Sequence, residues 1–208
     1  MSATPQHADP LVSRAKFERE IEQFRELAGD YAQRGWLLVE ADFPCVFVVM
    51  AAPQLKPPPI VTGVLLDYTD YDLRPPSVRL ADAFSREPFK ASELPTNLLR
   101  QVEVEVDAMP IGLALPPGVA AQRMVQQQPL MQAYGPESVP FLCIAGVREY
   151  HEHPAHSGDR WELHRRDGAG RLVRILEVID TYGIRPLNGY GVNLVPQVSG
   201  FTQGEVPA

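Results

Sequence analysis

Twenty-one prolines are spread along 208 residues, about twice the usual share. Each fixes φ and removes a backbone donor, so regular elements must be short and joined by ordered, extended loops. The sharpest case is the run Tyr71-Asp72-Leu73-Arg74-Pro75-Pro76-Ser77-Val78-Arg79-Leu80. It follows the apolar stretch Ile60–Tyr68, which reads as a strand, and leads into a second short strand, Ser77–Ala81. Pro75 and Pro76 hold the link between them extended, which carries the chain from one strand into the next.

The neighbouring patterns fit that frame. Phe17, Ile21, Phe24, Leu27, Ala28 and Tyr31 recur at spacings of three and four, which predicts one amphipathic helix over 14–34 with Gly35 as its stop. Residues 1–12 read as a flexible leader. Trp36–Ala41 and Cys45–Ala52 are short apolar runs split by Asp42-Phe43-Pro44, a hairpin signal, and Lys56–Pro59 is a rigid connector. One helix followed by sequential strands predicts an α+β fold, the N-terminal helix packed on an antiparallel β-meander. Residues 82–138 read as a long insertion with one or two short elements, and include the acidic alternation Gln101–Asp107 and the polar run Gln126–Gln128. Val139–Val147 is strand-like. Arg171–Tyr182 reads as a second helix near the C-terminus, with Leu172, Ile175, Leu176 and Ile179 on one face. The expected organisation is a single domain over 13–190 and a tail over 191–208.

Charge excludes some partners. Lysine and arginine total 19 against 26 aspartates and glutamates, a net charge of −7. Nucleic acid and anionic membrane surfaces are therefore not expected as partners. The most apolar stretch, 36–52, is broken by Glu40, Asp42 and Pro44, so no membrane span is expected. Two cysteines, Cys45 and Cys143, make no disulfide framework, and the start MSATPQHADP lacks a basic region followed by an apolar stretch. A cytoplasmic protein is expected.

The chemistry concentrates in one place. Four of five histidines lie between His151 and His164, just after Cys143 and Glu149. Cysteine, glutamate and histidine are the usual zinc ligands. In a strand, Glu149, His151 and His153 would share a face. The turn at His153-Pro154-Ala155-His156 would return a second imidazole, and Gly158 would let Asp159 fold back as an acceptor supporting a ligand. Cys45 has no polar neighbour in Phe43–Val49 and is expected in the core. Trp161 is expected to be a packing anchor and His164 a surface residue. Arg148, Arg160, Arg165, Arg166 and Arg171 form a locally basic stretch, either a solvated face or a dock for an acidic partner. His151-x-His153-Pro154 begins like a JAB metalloprotease motif, but Trp161 and His164 stand where that motif needs serine and aspartate. The cupin motif, glycine-rich phosphate loops and the GxSxG elbow are also unmatched.

Over about residues 14–81 the chain resembles the ubiquitin-conjugating enzyme family, whose third strand, tyrosine-proline-x-x-proline-proline turn and fourth strand run in this order. Asp72 stands at the family's first proline. Cys143, Trp161 and the helix 171–182 follow in the family's order of cysteine, tryptophan and helix. The family's histidine-proline-asparagine turn is absent, and roughly 60 residues separate Leu80 from Cys143. The histidine-rich run resembles a bacterial family described as a predicted metal-binding domain and named for a cysteine–glutamate–histidine–histidine quartet. Its members look like neighbours of genes for ubiquitin-like proteins, their activating enzymes and JAB-type peptidases. Carried over, the quartet is Cys143, Glu149, His153 and His156, with His151 the main rival ligand and zinc the expected metal.

Together the resemblances imply a conjugating-like or accessory component of a bacterial ubiquitin-like protein modification system. Its partners would be a ubiquitin-like protein and its activating enzyme. Cys143 would be either a thioester-forming nucleophile, making the chain a transferase, or a metal ligand. The alternatives are a zinc-dependent hydrolase and a non-catalytic, metal-stabilised binding module.

Overall fold

The computed structural model describes residues 7–106 and 122–191. Helix α1 runs Pro10–Glu26 and begins where local chemistry dictates: the Asp9 carboxylate accepts from the Leu11 N–H, and Pro10 sits in the first turn, where its missing donor costs nothing. The backbone N–H groups of His7 and Ala8 both donate to Asp70 Oδ1. The described part of the expected leader, residues 7–12, is therefore held and partly helical. Residues 1–6, and all of the expected tail beyond residue 191, lie outside the described residues.

The expected single helix is two. α1 stops at Leu27, whose N–H reaches back to Phe24 and Arg25 carbonyls, and α2 covers Ala28–Gln33. Gly29 favours a break here. The bend brings Tyr31 against Phe24 (ring centroids 4.7 Å apart) and stacks it on Trp36 at 5.1 Å. Gly35, at φ +83°, turns the chain into the sheet, and a Cβ there would sit 2.4 Å from the Ala51 carbonyl oxygen. Only glycine fits.

Strands β1 (Trp36–Asp42), β2 (Cys45–Ala51), β3 (Ile60–Asp67) and β4 (Ser77–Ala81) form one antiparallel sheet in sequence order. Val48 pairs with Val64, and Leu66 with Val78, across the centre of the sheet. Phe17, Ile21 and Phe24 of α1 are buried in the same core. The fold is α+β, as its sequence pattern predicts. Cys45 is the exception within β2: it is exposed, not core, because it is the strand's first residue beside the Phe43-Pro44 turn, where the end of the sheet opens to solvent.

The region 82–138 holds a separate antiparallel ribbon, β5 (Leu99–Val106) with β6 (Gln122–Pro129), in which Val102 pairs with Gln126. The end of the acidic alternation, Asp107, lies outside the described residues. Leu98, fully buried, anchors the ribbon by packing on Gly183, where an added Cβ would lie 3.1 Å from the leucine side chain. The short strands β7 (Met131–Gln132) and β8 (Phe141–Leu142) pair next. The expected strand 139–147 is thus only two residues long. Beyond it the chain turns, and Val147 N–H bonds back to Ile144. Gly146 makes that turn possible, since a Cβ there would meet the Ala169 carbonyl oxygen at 2.0 Å.

Helix α3 spans Arg148–Glu152 and α4 spans Leu172–Ile179, the latter continuing as a wider turn over Asp180–Ile184. Leu172, Ile175, Leu176 and Ile179 are fully buried in the main core. Burial of each such side chain is worth about 1.5–3 kcal/mol. Among the described residues no helix is long and apolar enough to cross a membrane.

Glu20 of α1 is buried and accepts from the Leu172 N–H at the start of α4 (3.2 Å), while its second oxygen has no partner among the described residues. Burial raises its pKa, with the Leu172 hydrogen bond and Arg171 pulling the other way. A carboxyl raised in the folded state gives stability that is full below its unfolded pKa and is lost as pH rises through its folded pKa. Glu20→Gln keeps an acceptor for Leu172 and removes the buried charge. We expect it to be more stable than the wild type at pH 7 and to lose that advantage near pH 4. Urea denaturation at the two pH values checks this; equal midpoints for both proteins at both values would refute it.

Candidate functional site

The segment carrying Glu149, His151 and His153 is not extended. Residues 148–152 are helical, and in a helix side chains two apart point well away from each other. The expected common face therefore does not form. The helix follows from its anchor: Arg148 is buried, its N–H donates to Pro76 O at 2.9 Å, and its guanidinium donates to the carbonyls of Pro75 (3.2 Å), Asp67 (3.3 Å) and Thr69 (2.6 Å). The Pro-Pro turn and the histidine-rich region are thereby tied together.

Each predicted ligand then has its own place. Glu149 turns toward β4, where it accepts from Ser77 and pairs with Arg79 at 3.0 Å. His151 lies between two backbone carbonyls, Nε2 at 2.5 Å from Ala145 O and Nδ1 at 2.8 Å from Asp159 O. His153 caps the turn Pro154–His156 by accepting from the Ala155 N–H, and its ring packs against Tyr134 and Phe141. His156 is the residue that reaches the cysteine: its Nε2 is 3.3 Å from Cys143 Sγ. Of the four quartet residues, Cys143 and His156 are brought together, His153 has its ring 5.6 Å from that of His156, and Glu149 is engaged elsewhere. No three His, Cys, Asp or Glu side chains are placed to share a metal ion among the described residues.

The pair is positioned from several directions. Cys143 N–H donates to Leu130 O at 2.7 Å, which fixes the cysteine against the chain following β6. Tyr150 of α3 stacks on the His156 ring with centroids 4.0 Å apart. Its hydroxyl donates to Asp159 Oδ2 at 2.6 Å. Asp159 folds back after Gly158, as expected; its carboxylate holds Tyr150 and His164, and only its backbone carbonyl meets an expected ligand, the rival His151. His164 is half-buried, not a surface residue. Trp161 is buried, as expected of an anchor, and its Nε1–H donates to Asp72 O at 3.1 Å. The Asp72 carboxylate takes Lys16 (2.9 Å) and Arg165 (3.2 Å), so two members of the arginine-rich stretch are engaged within the chain, Arg148 as a buried anchor and Arg165 in this ion pair.

A match to the Y4jH-like family model covers residues 8–187. A Sinorhizobium fredii protein, the uncharacterized protein y4jH, is 43% identical over 196 residues, which is 94% of each chain. The chain belongs to the Y4jH-like family. The match spans the meander, the ribbon and the Cys143 region together.

In this Y4jH-like chain, Cys143 and His156 open onto a cavity of about 340 Å³ that Arg100, Gln128, Gln132 and Tyr150 also line. Burial pushes the Cys143 thiol up, and the Arg100 guanidinium opposes this. Tyr150 is pushed up to about 12 by burial and by its bond to Asp159, so its hydroxyl remains a donor at neutral pH. The resting thiol is protonated, and the imidazole at 3.3 Å is placed to take its proton. The arrangement can support nucleophilic chemistry by sulfur. Sequence reasoning misses Arg100, Gln128 and Tyr150. Tyr150 sits inside the histidine run and carries no ligand chemistry, and the two ribbon residues come from a region with no motif.

Proposed function

We propose that this protein is a conjugating-like or accessory component of a bacterial ubiquitin-like protein modification system, acting through Cys143. The observation that carries the reading is the Cys143 Sγ lying 3.3 Å from His156 Nε2 at the edge of an open cavity. The helix followed by a sequential four-strand meander, with the Pro75-Pro76 turn between β3 and β4, supports a ubiquitin-conjugating-like scaffold. In the step proposed, His156 takes the Cys143 proton and the sulfur attacks the thioester carbonyl carried by an activating enzyme. A new carbon–sulfur bond forms, the donor's carbon–sulfur bond breaks, and the departing thiolate recovers the proton. A reduced thiol suits the cytoplasm. Intact mass after incubation with activating enzyme, ATP and a ubiquitin-like protein tests the reading: a thiol-labile adduct supports it, and an unmodified chain sinks it.

A second reading takes zinc as the group held, because Cys143 and His156 are two donors in contact. The remaining quartet residues do not fit it as placed: Glu149 would have to leave Arg79, and the His153 ring its aromatic packing. On the thiol reading we expect less than about 0.1 zinc per chain after purification and no change in thermal midpoint with a chelator, since a bound structural zinc would contribute strongly to stability. Metal analysis by mass spectrometry and a melt with chelator measure this. Stoichiometric zinc with a chelator-sensitive melt would replace the thiol reading by the metal one. With neither adduct nor zinc, the scaffold is read as a binding module.

A further inference from the structure

The two cysteines sit in opposite electrostatic settings, and one arginine makes the difference. Arg100 projects from β5 and lines two adjacent cavities, the one of about 340 Å³ with Cys143 and His156, and one of about 400 Å³ that also takes in Arg174 and Thr181. Its Nη2 is fixed by donating to Gln128 Oε1 across the ribbon at 2.7 Å. Its Nε is buried and has no hydrogen-bond partner among the described residues. A guanidinium without a carboxylate partner, lining the same cavity as the thiol, is a place for an anionic oxygen. No carboxylate pairs with Arg100 among the described residues; Glu177, which lines the second cavity, is paired with Arg34 at 2.8 Å.

We infer that Arg100 makes the Cys143 cavity select a ligand that presents an anionic oxygen to it, the oxyanion of an acyl group under attack by sulfur or a carboxylate of similar size. A guanidinium presents several donors in a fixed plane and holds its charge at all working pH values, which suits it to oxygen anions. Gln128 orients it from the neighbouring strand. The inserted ribbon thus contributes the guanidinium that lines this cavity, whereas Arg148 is turned to the carbonyls of Asp67, Thr69 and Pro75. Cys45 is the natural contrast: at its exposed strand end the thiol is still partly desolvated, which pushes it up, and the carboxylates of Asp67, Glu40 and Asp42 push it further. This inference rests on Cys143 being the thiol of the site, but not on acyl transfer taking place.

The test uses two alkylating reagents of nearly equal size, iodoacetate and neutral iodoacetamide. In each, the cysteine sulfur displaces iodide and the thiol proton passes to the imidazole or to water. Peptide mass mapping gives the rate at each cysteine separately in the full chain. The ratio of the iodoacetate to the iodoacetamide rate should be higher at Cys143 than at Cys45, by about tenfold at low salt. It should fall toward the Cys45 value as salt is raised, because a partly exposed charge is screened. Arg100→Gln should lower the Cys143 ratio about fivefold and leave the Cys45 ratio unchanged, and Arg100→Lys should restore at least half of the loss. A Cys143 ratio unchanged in Arg100→Gln overturns the inference. If that variant does not fold, a wild-type ratio that does not respond to salt, or that is no higher than at Cys45, overturns it equally. A failed thioester assay with this selectivity intact would remove the proposed function and leave the anion site standing.

Discussion

Cys143→Ser is expected to abolish the thiol-labile adduct completely while leaving the fold nearly as stable as the wild type. The sulfur is the only atom at that position able to form a thioester, and Cys45 is faced by carboxylates, weaker bases than an imidazole, which oppose thiolate formation. The side chain is half-buried, and its hydrogen-bond contact is with His156. Serine preserves its size, so the expected change in unfolding free energy is about 0.5 kcal/mol or less, the usual range for a substitution away from the core. His156→Ala should also spare the fold and slow adduct formation by about 10²–10⁴-fold, the usual contribution of a placed base. The paired measurements are intact mass over a time course and a urea melt. A thiol-labile adduct of full yield on the serine variant would place the modification on another residue and end the case for Cys143.

Arg148→Ala is expected to be strongly destabilising. Its side chain is only 9% exposed, and its guanidinium satisfies three backbone carbonyls as well as facing Asp67 at 3.5 Å. Removing it strands the acceptors of Asp67, Thr69 and Pro75 and leaves a hole where β3, the Pro-Pro turn and α3 meet. Breaking a buried charged group of this kind costs about 3–5 kcal/mol. That is a large part of the roughly 5–15 kcal/mol available to a domain. Arg148→Lys should recover little, because a single ammonium on a flexible stem cannot reach three carbonyls spread around a planar fork. Denaturant titration of both variants measures this; a loss under about 1 kcal/mol for Arg148→Ala would show that water replaces the guanidinium.

The meander is legible in the sequence because its signals are local. Apolar runs, the turn around Phe43-Pro44 and the Pro75-Pro76 link each act over a few residues, and the observed strands fall where they predict. The helix break at Leu27 is hidden because Tyr31 keeps the apolar spacing while packing on Trp36 forces a bend that spacing alone does not encode. Cys45 is misplaced by its neighbours, because an apolar run reveals a strand but not where its end meets solvent. In the site, proximity along the chain marks the right region and yields Cys143 and His156. It yields the wrong geometry for Glu149 and His151, because the hydrogen bonds of Arg148 to a turn more than 70 residues away set a helix where alternation suggests a strand. Arg100 is out of reach for the same reason: only the pairing of β5 with β6 and the packing of Leu98 bring it to the cysteine.

The bonds that hold the site differ from those of the sheet in how far along the chain they reach. Neighbouring strands of the meander are consecutive, so loop closure between them is short. The ties of the site join residues 73, 81, 89 and 93 positions apart, through Arg148, Trp161 and Arg165 onto the segment 67–75. Long closures carry a larger entropic cost and slow the contacts that depend on them. The order of assembly follows. During synthesis the meander has all its strands once residue 81 has emerged, whereas the cysteine has no setting until Trp161 and Arg165 have been made. A nascent chain therefore has every strand of the sheet before it has the residues that set the thiol, and α4, whose apolar side chains complete the same core, is made after both.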